Sequence, residues 1–194
     1  MGYYWAKFKE HDNLYRFDTR IYFESVNEIL DRDECIGAVV GKNPGSAIPN
    51  GAATGQFCEI NLNNDKFLPT VRSIIRKSNP NIVGRKYIQI LNLFYLCNPN
   101  LGEAIKDFES ANYPKICETE TKKFPWVWFM WGLYKKKLTS KKKRFTDIQT
   151  SKKFYLDNQT GKVVESFPED SVCAKHTQGM KQDLVIPYLR QILK

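Results

Sequence analysis

The 194-residue chain has no apolar run approaching ~20 residues, so no membrane-spanning helix is expected. Met1 to Glu10 mixes aromatics with charge and has no apolar stretch of the secretory kind, so a cytoplasmic location is the expectation. Histidine is scarce: only His11 and His176. The five cysteines, Cys35, Cys58, Cys97, Cys117 and Cys173, include no C-x-x-C pair. Zinc and iron–sulfur ligand sets usually carry that pair, so neither a metal nor any other cofactor is expected. An odd number of scattered thiols reads as reduced and mostly buried. No Walker A motif or G-x-G-x-x-G is present to cradle a nucleotide tail. No G-x-S-x-G elbow or ordered Ser–His–Asp set is present either, which removes the common acyl-transfer nucleophile.

What is there is a core and a surplus of positive charge. The chain is 42% hydrophobic and 13% aromatic, enough for one packed domain over 1–194 and too much for disorder. Thirty Lys and Arg stand against 21 Asp and Glu, giving a formal charge of +9. Lys135 to Lys153 (KKKLTSKKKRFTDIQTSKK) holds nine of the basic residues and one acid, Asp147, so nearly the whole surplus lies there. Like charge this dense implies a visiting counter-charge, and a phosphate-contacting arm is expected, with Lys141, Lys142, Lys143 and Arg144 as its centre. A solvated loop is the bland alternative.

Three apolar runs read as strands: Cys35–Val40, Tyr87–Leu96 and Trp126–Met130. Ser171–Ala174 reads as a fourth. Phe67–Lys77 has the apolar spacing of an amphipathic helix. Leu101–Phe108 and Gly179–Leu193 read as helices, the latter with Pro187 as a potential kink. Ser25–Leu30 reads as a short helix. Residues 3–24 read as one or two short strands or an irregular cap, placing an N-terminal cap at about 1–30. Phe154–Glu165 has hairpin character, so a basic insertion with a hairpin is expected at about 135–166. Apolar strands separated by helices imply an α/β three-layer sandwich, its central, mostly parallel four-stranded sheet flanked by helices.

Ligands of such sheets bind beyond the carboxyl ends of the strands. There the sequence offers Gly41-Lys-Asn-Pro-Gly45, then Asn92, then His176. Gly41 and Pro44 let the backbone turn close to a ligand. Asn43 can hold a water or read a polar edge. Asn92 sits in an apolar strand and must find a partner. Two amides and an imidazole describe a site for a planar polar group.

These segments carry a resemblance. Ile36-Gly-Ala-Val-Val-Gly-Lys-Asn-Pro-Gly45 resembles the first motif of the uracil-DNA glycosylase superfamily, in particular the G-I-N-P-G of its mismatch-specific and thymine-DNA glycosylase branch. Ile88-Gln-Ile-Leu-Asn-Leu-Phe94 is similar to the strand ending in a base-reading Asn. Val127-Trp-Phe-Met-Trp-Gly-Leu-Tyr134 looks like the L-L-W-G-x-Y strand. Ala174-Lys-His-Thr-Gln-Gly-Met180 falls where the family carries H-P-S. The ordered set also resembles a family of uncharacterised bacterial proteins with an N-P-S or N-P-G motif and an N-L-F strand. The resemblance implies that Asn43 positions the hydrolytic water, Asn92 bonds the edge of a flipped base, and His176 stabilises the departing base. It also implies an aromatic after the first motif, with Phe57 the candidate, stacking on the base, Met180 as the wedge filling the vacated stack, and Lys42 and Gln178 on DNA.

The expected activity is therefore monofunctional DNA glycosylase chemistry on a modified or mismatched pyrimidine, leaving an abasic site. The speculation goes as far as modified cytosines of phage DNA and antiviral defence. DNA is the expected partner, with no membrane and no metal, and the chain is expected to be monomeric. The sequence departs from the uracil-specific branch, which has Asp at the position of Asn43, and Thr-Gln follows His176 where the family has Pro-Ser. Two other readings stay open: a non-catalytic nucleic-acid-binding module, and an enzyme acting on free nucleosides or nucleotides.

Overall fold

The computed structural model describes residues 1–110, 116–132 and 138–194. Its centre is a nine-stranded mixed sheet. The strands are β1 (Gly2–Glu10), β2 (Leu14–Val26), β3 (Glu34–Gly41), β4 (Ile48–Pro49), β5 (Thr54–Asn61), β6 (Lys86–Asn92), β7 (Val127–Phe129), β8 (Lys153–Leu156) and β9 (Val163–Val164). They lie in the order β4-β5-β1-β2-β6-β3-β7-β8-β9. Among the described residues four α-helices accompany them: α1 (Phe67–Ser78), α2 (Leu101–Ser110), α3 (Thr139–Lys143) and α4 (Ile186–Ile192).

This corrects the expected four-stranded, mostly parallel sheet. Five of the eight strand pairings are antiparallel, and only β3–β6, β3–β7 and β7–β8 are parallel. The cause is residues 2–26, expected as short strands or a cap. They form two long strands, and β2 pairs directly with β6 through Thr19↔Ile90 to Tyr22↔Tyr87. Ser25 and Val26 end β2, so the short helix expected from Ser25 does not form. The small polar segment after the first motif contributes β4 and β5, which add two strands beyond β1.

The two faces of the sheet are covered differently. On one, α1 and α4 lay Leu68, Val71, Ile74, Ile75, Val185 and Leu189 against Ile21, Val39, Ile88 and Trp128. On the other, Ala104, Ile105 and Phe108 of α2 join Ala38, Val40, Leu91 and Phe129. β3 thus alternates sides and is buried on both, which is why it reads as an unbroken apolar run. Gly37 sits under the Trp126 indole, in space a Cβ would have to share with the ring. Each fully buried large apolar side chain contributes about 1.5–3 kcal/mol, and the twelve largest side chains under 2% exposed include eleven aromatics, among them Trp126, Trp128 and Trp131.

Three smaller expectations also change. Ser171–Ala174 is not a strand; Ala174 makes single bridges to Gly132 and Asp157. Gly179–Leu193 resolves into a 3-10 turn (Gln182–Leu184) and α4, in which Pro187 falls in the first turn, where its missing N–H costs nothing. Of the basic segment, residues 135–137 lie outside the described residues, and Thr139–Lys143 is helical.

Candidate functional site

The parallel strands β6, β3, β7 and β8 end together, and the segments that leave them converge. β3 runs into Gly41–Gly45, β6 ends on Asn92, β7 leads to Gly132, and β8 leads to the 157–161 turn. The segment carrying His176 is laced across these ends. Gly132 N donates to Ala174 O at 2.7 Å, Lys175 N to Leu156 O at 2.8 Å and Asn158 N to Cys173 O at 3.1 Å. His176 therefore reaches the same edge as Asn43, although the two lie far apart in the sequence.

A cleft of about 610 Å³ opens there, lined by Gly41, Lys42, Asn43, Pro44, Phe67 and His176 among others. A second depression of about 480 Å³ shares Lys42, Asn43, His176 and Gln178 with it and continues past Gly132 to Lys175. That size lies within the range of small-molecule sites.

Asn43 is held rigidly. Its Nδ2 donates to the carbonyl of Asn98 at 2.8 Å, which leaves the side-chain carbonyl oxygen as the acceptor for another donor. Asn98 Oδ1 in turn accepts from Asn100 N at 2.8 Å, and Asn100 Oδ1 from Gly102 N at 3.0 Å in the first turn of α2. Asn92 is 1% exposed, and its Nδ2 has no hydrogen-bond partner. It lies just behind the cleft floor. A Cβ on Gly41 would stand 3.1 Å from Asn92 Oδ1 and 3.3 Å from Phe67 Cζ. Glycine at 41 keeps the space between the amide and the ring open.

Phe67 starts α1, and its ring stacks on His176 with centroids 5.1 Å apart and planes at 25°. Asp65 fixes that helix start. Its Oδ1 accepts from Phe67 N at 2.7 Å and Leu68 N at 3.3 Å, favourable at a positive helix end. Asp65 Oδ2 lies 3.7 Å from the buried Arg16 guanidinium.

His176 is held far below its ordinary pKa of 6.5, at about 4. Burial is the main cause, and Lys42 and Lys175 add repulsion that Asp65 offsets in part. The imidazole is therefore neutral at neutral pH. Its Nδ1 accepts from Gln178 N at 3.3 Å, so the proton sits on Nε2 and that nitrogen donates. Lys42 Nζ and His176 Cβ flank one point above Gly132, at 3.6 and 3.5 Å from where a Cβ would be. Gly132 has φ +74°, a left-handed conformation that also favours glycine. The cleft thus combines a flat ring, a neutral imidazole and a cation, with the buried Asn92 amide behind Gly41.

The other expected site residues lie elsewhere. Phe57 is on β5, with Lys7 Nζ 4.8 Å and Arg20 Cζ 4.6 Å from its ring; the aromatic in the cleft is Phe67. Met180 packs half-buried against the core on the α1–α4 side and does not line the cleft, whereas Gln178 does. Three of the four central cations of the basic segment are committed to the protein. Lys141 lies 3.6 Å from Glu109, Lys142 is 1% exposed with its ammonium over the Trp131 ring, and Arg144 pairs with Glu120 at 3.0 Å and donates to Leu93 O at 3.1 Å. Lys143 is exposed.

Sequence reasoning missed Phe67 and Gly132 as site residues, and weighed Asp65, with Glu59, only as the carboxylate nucleophile of a deoxyribosyl-transfer enzyme. The helix start at Phe67 was legible, and an Asp just before such an apolar run is a helix-start signal that assigns Asp65 a capping role. Among the described residues no group of His, Cys, Asp and Glu could hold a metal ion, and no helix is long and apolar enough to cross a membrane. Comparison with models of protein families, with curated proteins and with solved structures gives no match.

Proposed function

We propose that the protein is a DNA glycosylase that hydrolyses the bond between a pyrimidine and its deoxyribose. The observation that carries this reading is the buried, unpartnered amide of Asn92 behind a cleft that also holds Asn43, Phe67 and a neutral His176. A buried polar group without a partner is costly, and a site built to bond a ligand there is a reason to keep one.

In this reading the flipped base stacks on Phe67, and its polar edge meets Asn92. As the C1′–N bond breaks, the bonding pair leaves with the base and the sugar becomes an oxocarbenium ion. His176 Nε2–H donates to the oxygen on which negative charge grows, and the Lys42 ammonium adds fixed positive charge beside it. The Asn43 side-chain carbonyl, its orientation fixed by the bond to Asn98, accepts from the attacking water. The water oxygen bonds to C1′ and releases a proton to the departing base or to solvent. An amide is a weak base, so substrates with good leaving groups are favoured, among them pyrimidines that carry an electron-withdrawing group at ring position 5. A cleft of about 610 Å³ leaves room for such a substituent. Modified phage DNA and an antiviral setting are the extension of this reading.

The test is an abasic-site assay on duplexes and single strands containing uracil, a T·G mismatch, unmodified cytosine or phage-modified cytosine. Alkali-labile breaks on one substrate, absent with Asn43→Ala and Asn92→Leu variants that remain folded at the assay temperature, are the expected result. A second reading, hydrolysis of free nucleosides or nucleotides, draws on the inward commitment of Lys141, Lys142 and Arg144, which removes part of the expected DNA arm. Activity on mononucleotides but not on DNA would favour it. Salt-sensitive DNA binding that Asn43→Ala leaves intact, without cleavage, would favour a binding module.

A further inference from the structure

We infer that a DNA strand is held along a lysine-lined groove formed by Lys66, Lys42, Lys175 and Lys181 across the strand ends, and not by the lysine-rich segment of α3. This rests on the reading of the site as one that acts on DNA.

The cleft, the depression beside it and a third of about 330 Å³ at the 157–161 turn adjoin one another along the strand ends. The first two share Lys42 and His176, and the last two share Lys175. Along them the cations come in order: Lys66 at the start of α1, Lys42 at the cleft floor, Lys175 beyond His176, and Lys181 at the far end. Among the described residues Lys66, Lys175 and Lys181 pair with no carboxylate. The two acids along the groove are occupied. Asp65 accepts from the α1 backbone. Asp157 accepts from Gln159 N at 2.9 Å and the Thr160 hydroxyl at 2.8 Å. Four lysines against two acids, both engaged by hydrogen bonds within the protein, leave the row net positive, the pattern a phosphate backbone fits beside the base-sized cleft.

The dense basic segment does not offer the same thing. Lys141 and Arg144 already face carboxylates, Lys142 is buried, and Lys153 Nζ donates to Thr146 O at 2.9 Å. Its composition suggested an arm, but much of that charge is turned onto Glu109, Glu120 and the Trp131 ring.

The experiment measures binding of a fluorescent oligonucleotide, double- and single-stranded, by anisotropy from about 50 to 200 mM salt. Each lost phosphate contact lowers the slope of log K against log salt by about 0.9 for a duplex and about 0.7 for a single strand. The triple variant Lys66→Gln, Lys175→Gln, Lys181→Gln is expected to lose between two and three units of slope. Lys143→Gln with Lys152→Gln is expected to change it by less than one. The reverse ranking overturns the inference, as does a wild-type slope near zero. A mononucleotide bound as tightly as the oligonucleotide overturns it too, since a track needs several phosphates. The slope is read without base excision. A lysine-groove slope with no abasic product sinks the glycosylase reading alone; abasic product with the reverse ranking sinks this inference alone.

Discussion

Replacing Asn92 with Leu separates a ligand-binding amide from a structural one. Leucine has the same branching as asparagine but no polar atoms. In the protein the side chain is 1% exposed and Nδ2 is unpaired. A buried donor without a partner costs about 1–3 kcal/mol. Leucine methyls are larger than the amide atoms they replace, and crowding at a buried site takes back part of that, so a net gain of about 1–2 kcal/mol is expected. For a chain of this length about 1 kcal/mol corresponds to a shift of roughly 2–4 °C in melting temperature. Asn92→Leu should therefore melt some 2–8 °C higher, by the same conversion. At the same time base excision should be lost, because the amide has no counterpart in leucine. Calorimetry gives the first number and the abasic-site assay the second. A melting temperature lowered by about 4 °C or more would mean that Asn92 holds the fold together and that its amide is not kept for a ligand.

Three other outcomes are expected. His176, held at about 4 against its ordinary 6.5, is protonated later in the folded than in the unfolded chain. Its contribution to stability is complete above pH 6.5 and lost as pH falls towards 4, and His176→Phe should flatten that part of the denaturation profile. Gly41→Ala places a methyl 3.1 Å from Asn92 Oδ1 and 3.3 Å from Phe67 Cζ; it should fold, yet lower kcat/KM about tenfold or more, since the two groups must separate. Arg144→Gln leaves the Glu120 carboxylate, 8% exposed, without its cation, and should cost about 2–4 kcal/mol in a urea titration.

The elements legible in the sequence were those whose apolar residues show an unbroken run or a regular spacing. β3, β6 and β7 showed as apolar runs, and α1 through the spacing of Leu68, Val71, Ile74 and Ile75. The rule that ligands collect at strand ends then led to Asn43, Asn92 and His176. What hid β2 was buried charge. Arg16, Asp18 and Arg20 lie inside the sheet, Arg20 bonded to Asp18 and held between the rings of Phe57 and Tyr87. Asp18 has φ +44°, and the β1–β2 ladder shifts register beside it, so no alternation survives in the sequence. The same pairing explains Phe57: an aromatic after the first motif was visible, but that β5 turns it towards Arg20 was not. The lysine block misled for a related reason, since a charge count cannot tell a cation that faces water from one that faces Glu109 or Glu120.

The most direct test of the central claim is to weigh the products. Incubated with DNA carrying its target pyrimidine, the protein should release free base in a one-to-one ratio with strands lighter by that base and heavier by one water, their backbones unbroken. Strands of unchanged mass, with no free base, from every DNA offered would contradict glycosidic hydrolysis as the function of this site.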